Sequence, residues 1–302
     1  VRRLAEQIGA WMRARAITSE CARCPVQPMA EEPLRDCPFP LEFIVDMGDR
    51  PGTHMARLSQ ASAERHFAAM DQFVRDLVGL TKLVQFVDST GYRAPTPLAL
   101  VERALQVYAA DDPDLRGYAR SRVNNIVGVP ADGRFARVRD AFKDDPFRAY
   151  VECILLERFA FHRRYFRQMF RSLMSANRDT GMLVSGRSPR SPVRFHLGTR
   201  LLETLVQIAV LRPTGADPNG HAQFTSEPIL ISDLLTWLRQ RYGIAIGAAQ
   251  VQQGAAGLSP ADLKAMRENE EHFKARLREI GFYTDLSDAR NTQRVVPRYP
   301  LE

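Results

Sequence analysis

The stretch PILISDLLTWLRQRYG, residues 228–243, decides the fold of the last third of the chain. Pro228 to Ile231 is a short β-prone run, and Ser232 or Asp233 behind it is a residue type that caps helices. Leucines then repeat at helical spacing until Gly243, a residue that commonly ends a helix. The stretch therefore predicts a short strand followed directly by an amphipathic helix.

Further predicted elements lie on both sides of this stretch. A helix precedes it at residues 201–209, and a longer helix runs over residues 260–280 behind a Ser259-Pro260 start. Serine is favourable as the cap and proline as the first helical residue. Beyond this helix, residues 282–284 and 294–296 are two β-prone runs with turn-forming residues between them, a pattern that predicts a terminal hairpin.

The order helix, short strand, helix, helix and terminal hairpin resembles the winged helix-turn-helix family. In that family the third helix usually enters the major groove and the hairpin contacts the DNA backbone. The resemblance implies a double-stranded DNA partner, held through phosphates more than through bases, because arginine and lysine bind charge first. The DNA-contact residues it implies are Arg267, Lys274, Arg278, Arg290, Arg294 and Arg298.

Acidic residues on the same predicted helix support a competing expectation. They are Glu268, Glu270, Glu271 and Glu279. Residues 190–302 carry 14 basic and 12 acidic residues, a net of +2 out of +7 for the whole chain. Most of the positive excess therefore lies elsewhere, and docking to another protein is nearly as well supported for this domain as binding DNA.

The first two thirds of the chain read as a series of amphipathic helices. The predicted fold class is mainly α, with an N-terminal helical domain and a C-terminal winged-helix domain that has a small β-hairpin. We expect the helical domain at residues 1–177, including an irregular, proline-rich and cysteine-containing loop at 18–57. Residues 178–192, rich in glycine, serine and proline, are the expected linker to the second domain at 193–302.

The longest predicted helix of the first domain begins behind Asp145-Pro146 and carries many arginines. They are Arg158, Arg163, Arg164, Arg167 and Arg171. Aromatic residues lie between them, namely Phe161, Tyr165 and Phe170, and this combination could grip a nucleic-acid backbone and stack bases. A solvated arginine face over an aromatic core explains the same residues, and it is the preferred interpretation.

Three of the four cysteines lie close together. Cys21, Cys24 and Cys37 form a C-x2-C-x12-C arrangement, in which the short gap lets two thiolates point at one ion. Structural zinc is the first expectation and an iron–sulfur cluster the second, while three thiols without a metal stay possible. We expect His54 as the fourth ligand, with His66 and Cys153 as the other candidates, although Cys153 fits a buried core thiol better.

The run VDMGDRPGTH, residues 45–54, suggests a different chemistry. Asp46, Asp49 and His54 could coordinate a divalent cation for a nuclease or hydrolase. Aspartate, glycine and proline also form turns, however, and a turn-rich loop docked on its surroundings is the stronger interpretation.

Composition limits the function further. The chain has no phosphate-binding glycine loop, no H-E-x-x-H and no G-x-S-x-G, and no apolar run long enough to cross a bilayer, so we expect a cytoplasmic protein. We predict a non-enzymatic nucleic-acid-binding or scaffolding subunit of a bacterial multi-protein assembly. The chain has a general likeness to accessory subunits of bacterial defence systems, which no single motif carries. The alternatives are the metal-dependent nuclease and a pure protein-interaction subunit.

Overall fold

The computed structural model describes residues 2–17, 42–127, 133–186, 192–216, 220–248, 258–283 and 293–301. Most of them are helical, which confirms the predicted mainly α fold. The helices are α1 (Arg2–Ala14), α2 (His54–Ser89), α3 (Pro97–Ala109), α4 (Pro113–Val127), α5 (Gly133–Ala141), α6 (Pro146–Leu173), α7 (Thr199–Val210), α8 (Ile231–Tyr242) and α9 (Pro260–Glu279). The strands are β1 (Phe43–Ile44), β2 (Leu183–Ser185), β3 (Val193–Phe195), β4 (Leu211–Ala216), β5 (Ala222–Ser226), β6 (Ile229–Leu230), β7 (Ile244–Ala245) and β8 (Arg294–Val295).

The chain divides into two compact units. The first is made of Val1–Cys24 and His66–Met169, and the second of Pro25–Arg65 and Phe170–Glu302, each taken over its described residues. Two of the boundaries, after Arg65 and after Met169, fall inside the long helices α2 and α6, so each of these helices contributes residues to both units. Among the described helices, none combines the length and the apolar character needed to span a membrane.

The first unit is helical throughout its described part. Its core holds apolar side chains of α2, α3, α4 and the first half of α6, among them Leu83, Leu115 and Phe147. Cys153 lies in this core with no exposed surface, and burial raises the pKa of its thiol. The interpretation of Cys153 as a core thiol is therefore confirmed.

Part of the predicted linker is a strand. β2 pairs antiparallel with β3, and its end is fixed by Asn177, whose Oδ1 accepts a 2.8 Å hydrogen bond from the Ser185 backbone. Gly181 and Gly198 allow the backbone to pass closely here. A Cβ on Gly181 would lie 2.0 Å from the Ser175 carbonyl oxygen, and one on Gly198 would lie 2.3 Å from that of Asp179. Glycine is needed at both positions because a side chain would collide with these backbone atoms.

The second unit is built on α7, α8 and α9, with short strands packed against them. Its core includes Leu202, Leu234 and Phe273, all buried. β1 runs parallel to β7, and the Val45 amide continues the pairing with a 3.0 Å hydrogen bond to the Ala245 carbonyl. The segment that follows β1 is thereby held beside the helices.

The ends of α8 and α9 test the helix signals in the sequence. α9 begins as predicted, with Ser259 as its cap and a reciprocal capping box to Asp262. α8 ends as predicted at Gly243, which has a φ of +73°. The predicted Ser232 or Asp233 cap of α8 is wrong, because the helix already begins at Ile231. The residue in the cap position is Leu230, which makes no side-chain cap hydrogen bond, and the Ile231 amide donates to the Gln293 carbonyl at 3.0 Å.

The C-terminal β-prone run joins two other segments. β8 pairs antiparallel with β6, placing Val295 opposite Ile229. The next residue, Val296, donates a 2.9 Å hydrogen bond from its amide to the carbonyl of Phe282. The predicted turn at residues 288–292 lies outside the described residues. The terminal segment therefore links the strand before α8 to the residues that follow α9.

One side chain of α9 connects the segments that follow β1 and β7. Asn269 is buried, and its Oδ1 accepts a 2.7 Å hydrogen bond from the Met47 amide. Its Nδ2 donates to the carbonyls of Val45 at 2.8 Å and Ile246 at 2.9 Å. Both the carbonyl oxygen and the amino group of the Asn269 side chain therefore have hydrogen-bond partners in the core.

We expect Asn269→Ala to lower the free energy of unfolding by about 3 kcal/mol or more, because it removes the side-chain hydrogen bonds to three buried backbone groups. Urea denaturation of the purified chain measures this loss. Glu268→Ala, on the neighbouring position where the side chain is 62% exposed, is the matched control and should change stability by less than about 0.5 kcal/mol. Equal effects of the two substitutions would contradict the assigned role of Asn269.

Candidate functional site

A polar cavity of about 520 Å³ opens in the second unit. Its walls are the loop that follows β1, the start of α2 and one face of α9. The titratable residues that line it are Asp46, Asp49, Arg50, His54, Glu268, His272, Arg276 and Glu279. Both signs of charge are present, so the cavity is not a simple anion or cation site.

Asp46 is the buried member of this lining. Its Oδ1 accepts a 2.9 Å hydrogen bond from the Gly48 amide, and its Oδ2 accepts a 2.5 Å bond from Arg194 Nη1. Burial raises the pKa of the Asp46 carboxyl, while the Gly48 hydrogen bond and the Arg194 charge lower it. Arg194 is thus the counter-charge for a carboxylate whose side chain is only 2% exposed.

His196 is oriented by the same segment. Its Nδ1 lies 2.7 Å from the backbone carbonyl oxygen of Asp46. Because a carbonyl can only accept, Nδ1 carries the proton in this contact. Burial lowers the pKa of His196, and the positive charges of Arg194 and Arg276 lower it further. The imidazole is therefore held in its neutral form beside the Asp46–Arg194 pair.

We expect Arg194→Met to destabilise the chain by about 3 kcal/mol at pH 8, because it leaves the Asp46 carboxylate buried without its cation. The stability associated with a raised carboxyl pKa is present below the unfolded value of 3.8 and is lost as pH rises through the folded pKa. The difference from wild type should therefore shrink in acid. Loss of Arg194 also relieves the lowered pKa of His196, which acts in the same direction.

Urea denaturation at alkaline and mildly acidic pH measures this dependence. The double variant Asp46→Asn/Arg194→Met removes the buried charge and should lose the part of the pH dependence that comes from the Asp46 carboxyl. Arg50→Met is the control, since the Arg50 side chain is exposed on the rim of the same cavity. A pH-independent loss in the Arg194 variant would show that packing, and not the charge pair, is responsible.

The three residues of the predicted divalent-cation site are held apart by different partners. Asp46 binds Arg194, and Asp49 Oδ1 receives a 2.5 Å contact from Arg276 Nη2. His54 Nε2 lies 2.6 Å from Asp262 Oδ1, and this hydrogen bond is the largest cause of the lowered pKa of Asp262. Among the described residues, no three histidine, cysteine, aspartate or glutamate side chains are grouped to hold a metal ion. The described geometry gives the nuclease alternative no support.

Most of the expected zinc ligands lie in a part of the chain that the structure does not describe. Cys21, Cys24 and Cys37 lie outside the described residues. His54, the expected fourth ligand, makes its Asp262 contact through Nε2, while its Nδ1 is 3.4 Å from Arg57 Nη2. A carboxylate on one ring nitrogen is the usual partner of a metal-binding histidine, so the Asp262 contact is compatible with ligation through Nδ1.

The predicted DNA-contact residues differ in their surroundings. Arg267, Arg278 and Arg294 are exposed, and Arg278 lies over the ring of Tyr283 at 5.2 Å. Lys274 differs from the prediction, because its side chain is only 12% exposed and lies 2.8 Å from Glu271 and 3.7 Å from Glu270.

The last two predicted contacts lie beyond α9. Arg298 is 3.5 Å from Glu203 and is half exposed, so part of its charge is already compensated. Arg290 lies outside the described residues. Of the six candidates, Arg267, Arg278 and Arg294 are therefore those that the described geometry leaves best placed for an external anion.

Sequence reasoning did not find Arg194, His196 or Asn269. No local pattern marks them, because each makes at least one of its contacts across more than a hundred residues. The Met47–Asn269 hydrogen bond spans 222 positions and the Asp46–Arg194 pair spans 148. The only local signal was the unusual run 45–54, for which a docked, turn-rich loop was the preferred interpretation and a metal site the alternative.

Fold and site together define a mainly helical protein whose second unit holds a polar cavity and carries exposed arginines on α9 and β8. The model of the family described as methylation-associated defense system protein MAD7 matches residues 1–299. The chain belongs to this family and is a component of a methylation-associated defense system. The expected link to a defence system is confirmed at this level. Comparisons with curated proteins and with solved structures found no match.

Proposed function

We propose that this chain is a non-enzymatic nucleic-acid-binding subunit of its defence system, and that its second unit contacts duplex DNA in the manner of a winged helix. The observation that carries the proposal is the arrangement of the terminal strand. β8 pairs with β6, the strand before α8, and Val296 bonds to Phe282, the second residue beyond Ile280. Apart from the β4–β5 hairpin, which lies between α7 and β6, and the short strand β7 after α8, the described elements follow the winged-helix order of helix, strand, helix, helix and returning strand.

The charges on α9 support phosphate contacts at two positions. Arg267 and Arg278 are 11 residues apart, about three helical turns, and therefore project from the same side of the helix. Both are exposed, and Arg294 adds an exposed charge on β8. Lys274 lies on the same side, but Glu270 and Glu271 compensate it, so it is not assigned a contact.

The test is fluorescence anisotropy of a labelled 20-base-pair duplex, titrated with the full chain at several salt concentrations. Each phosphate contact contributes about 0.9 to the slope of log affinity against log salt. Arg267→Ala/Arg278→Ala should therefore reduce that slope by about 1.8 and weaken binding across sequences alike. Lys274→Ala, a single-charge control on the same helix face, should leave the slope within about 0.3 of the wild-type value.

A protein-scaffolding role is the second candidate, and a specific observation favours it. Three glutamates, Glu268, Glu271 and Glu279, are exposed on α9 together with Arg267 and Arg278. A mixed row of charges is typical of a surface that docks another protein through paired charges. If the wild-type chain does not bind the duplex even at low salt, the scaffolding role replaces the DNA role.

Structural zinc is proposed for the N-terminal cysteines, on their spacing alone. Cys21, Cys24 and Cys37 would supply three thiolates and His54 the fourth ligand. Elemental analysis of the purified chain should find about one zinc ion per molecule. Cys21→Ser/Cys24→Ser should abolish it and His54→Ala should reduce it, whereas Cys153→Ser is the control and should retain it. A visible absorption band with iron in place of zinc would favour the iron–sulfur alternative.

A further inference from the structure

The outer half of α6, residues 157–169 in the first unit, presents an unusual exposed surface. Phe161 is 60% exposed, Tyr165 56% and Met169 39%, at positions four residues apart. Residues four apart follow one another along the same side of a helix. The opposite side holds Phe166, which packs against Phe73 with its ring centroid 6.4 Å away. The exposed side is thus a distinct apolar ridge on a helix that is anchored from behind.

The two aromatic rings on this ridge support each other. The ring centroids of Phe161 and Tyr165 are 4.5 Å apart with a 46° angle between the planes. This contact restricts both rings while more than half of each side chain stays in solvent. A pair of restricted, exposed rings provides π surface at a low cost in side-chain entropy, and a nucleobase can stack on such a surface.

Arginines border the rings on both sides, and the structure distinguishes two kinds among them. Arg163 pairs with Asp71 at 3.0 Å, and Arg167 lies over the ring of Phe67 at 5.3 Å, so both are used inside the unit. Arg158 and Arg164 are exposed and have no carboxylate partner among the described residues. Arg158, three positions before Phe161, and Arg164, three positions after it, flank the rings one turn away on either side.

We propose that this ridge, made of Arg158, Phe161, Arg164 and Tyr165, binds single-stranded nucleic acid. Bases stack on the two rings, and the two uncompensated arginines contact the phosphates that connect those bases. The combination of cationic side chains that follow the backbone with aromatic faces for the bases is the general mode of single-strand binding. This site is independent of the duplex contact proposed for the second unit.

Charge favours a polyanion over the other possible occupants of the ridge. A second copy of the chain would bring Arg158 and Arg164 against the same two cations, which repel. A protein partner would need acidic side chains on both flanks of an apolar stripe. A nucleic-acid strand has this negative charge on every nucleotide and an aromatic base beside each charge. The ridge therefore fits a single strand without any further assumption about sequence.

The experiment is anisotropy of fluorescein-labelled oligo-dT of about 20 nucleotides, titrated with the full chain. We expect Phe161→Ala/Tyr165→Ala to weaken binding at least about tenfold, because base–aromatic stacking is lost at two positions. Arg158→Ala/Arg164→Ala should reduce the salt slope by about 1.4, since each phosphate contact on a single strand contributes about 0.7. Tyr92→Ala and Arg93→Ala/Arg103→Ala remove exposed residues elsewhere in the first unit and should change neither quantity.

A leucine pair distinguishes stacking from apolar docking. Phe161→Leu/Tyr165→Leu keeps an apolar ridge but removes the rings, so oligo-dT binding should fall as in the alanine pair. All variants should bind the duplex as wild type does, which separates this site from the contact on α9. Wild-type chain that fails to bind oligo-dT at low salt, or a leucine pair that binds it normally, overturns the proposal.

Discussion

The buried amide of Asn269 is the contact on which the geometry of the second unit depends. It accepts from one backbone amide and donates to two backbone carbonyls, at Met47, Val45 and Ile246. These groups lie in the segments that follow β1 and β7, so the Asn269 side chain joins both segments to α9. Aspartate at this position would provide acceptors only, and a longer glutamine would not fit the same distances. A neutral primary amide on α9 is the chemistry that the site requires.

The same clamp explains the position of the cavity. Because Met47 is fixed against α9, Asp46 is turned towards Arg194 while Asp49 is left at the cavity rim beside Arg276. The backbone at Gly48 passes close to two side chains, since a Cβ there would lie 3.2 Å from Asp46 Oδ1 and 3.3 Å from His272 Nδ1. Asp46, Asp49 and His54 resemble a set of metal ligands in the sequence. The packing of this segment separates them.

Local signals predicted the local structure. The Ser259-Pro260 start, the Gly243 end and the mainly helical character were visible because each depends on neighbours within one turn. The start of α8 was misjudged, because its first amide is satisfied by Gln293, a residue far along the chain. Gly181 was interpreted as part of a linker, although a side chain there would collide with the Ser175 carbonyl oxygen. Long-range pairing therefore decides the site, and local patterns do not encode it.

Charge pairing shows why a count of arginines cannot locate a binding surface. On α9, Lys274 and Arg276 are used by neighbouring carboxylates, whereas Arg267 and Arg278 remain exposed. The sequence spacing of Lys274 is as good as that of Arg278, but the Lys274 side chain is only 12% exposed and lies beside Glu271, whereas Arg278 is exposed. Residues 190–302 contribute a net of only +2 to the total of +7, so nonspecific attraction alone gives this region little affinity for a polyanion. The duplex contact proposed for this region would accordingly depend on the shape of the unit and on a few correctly placed arginines.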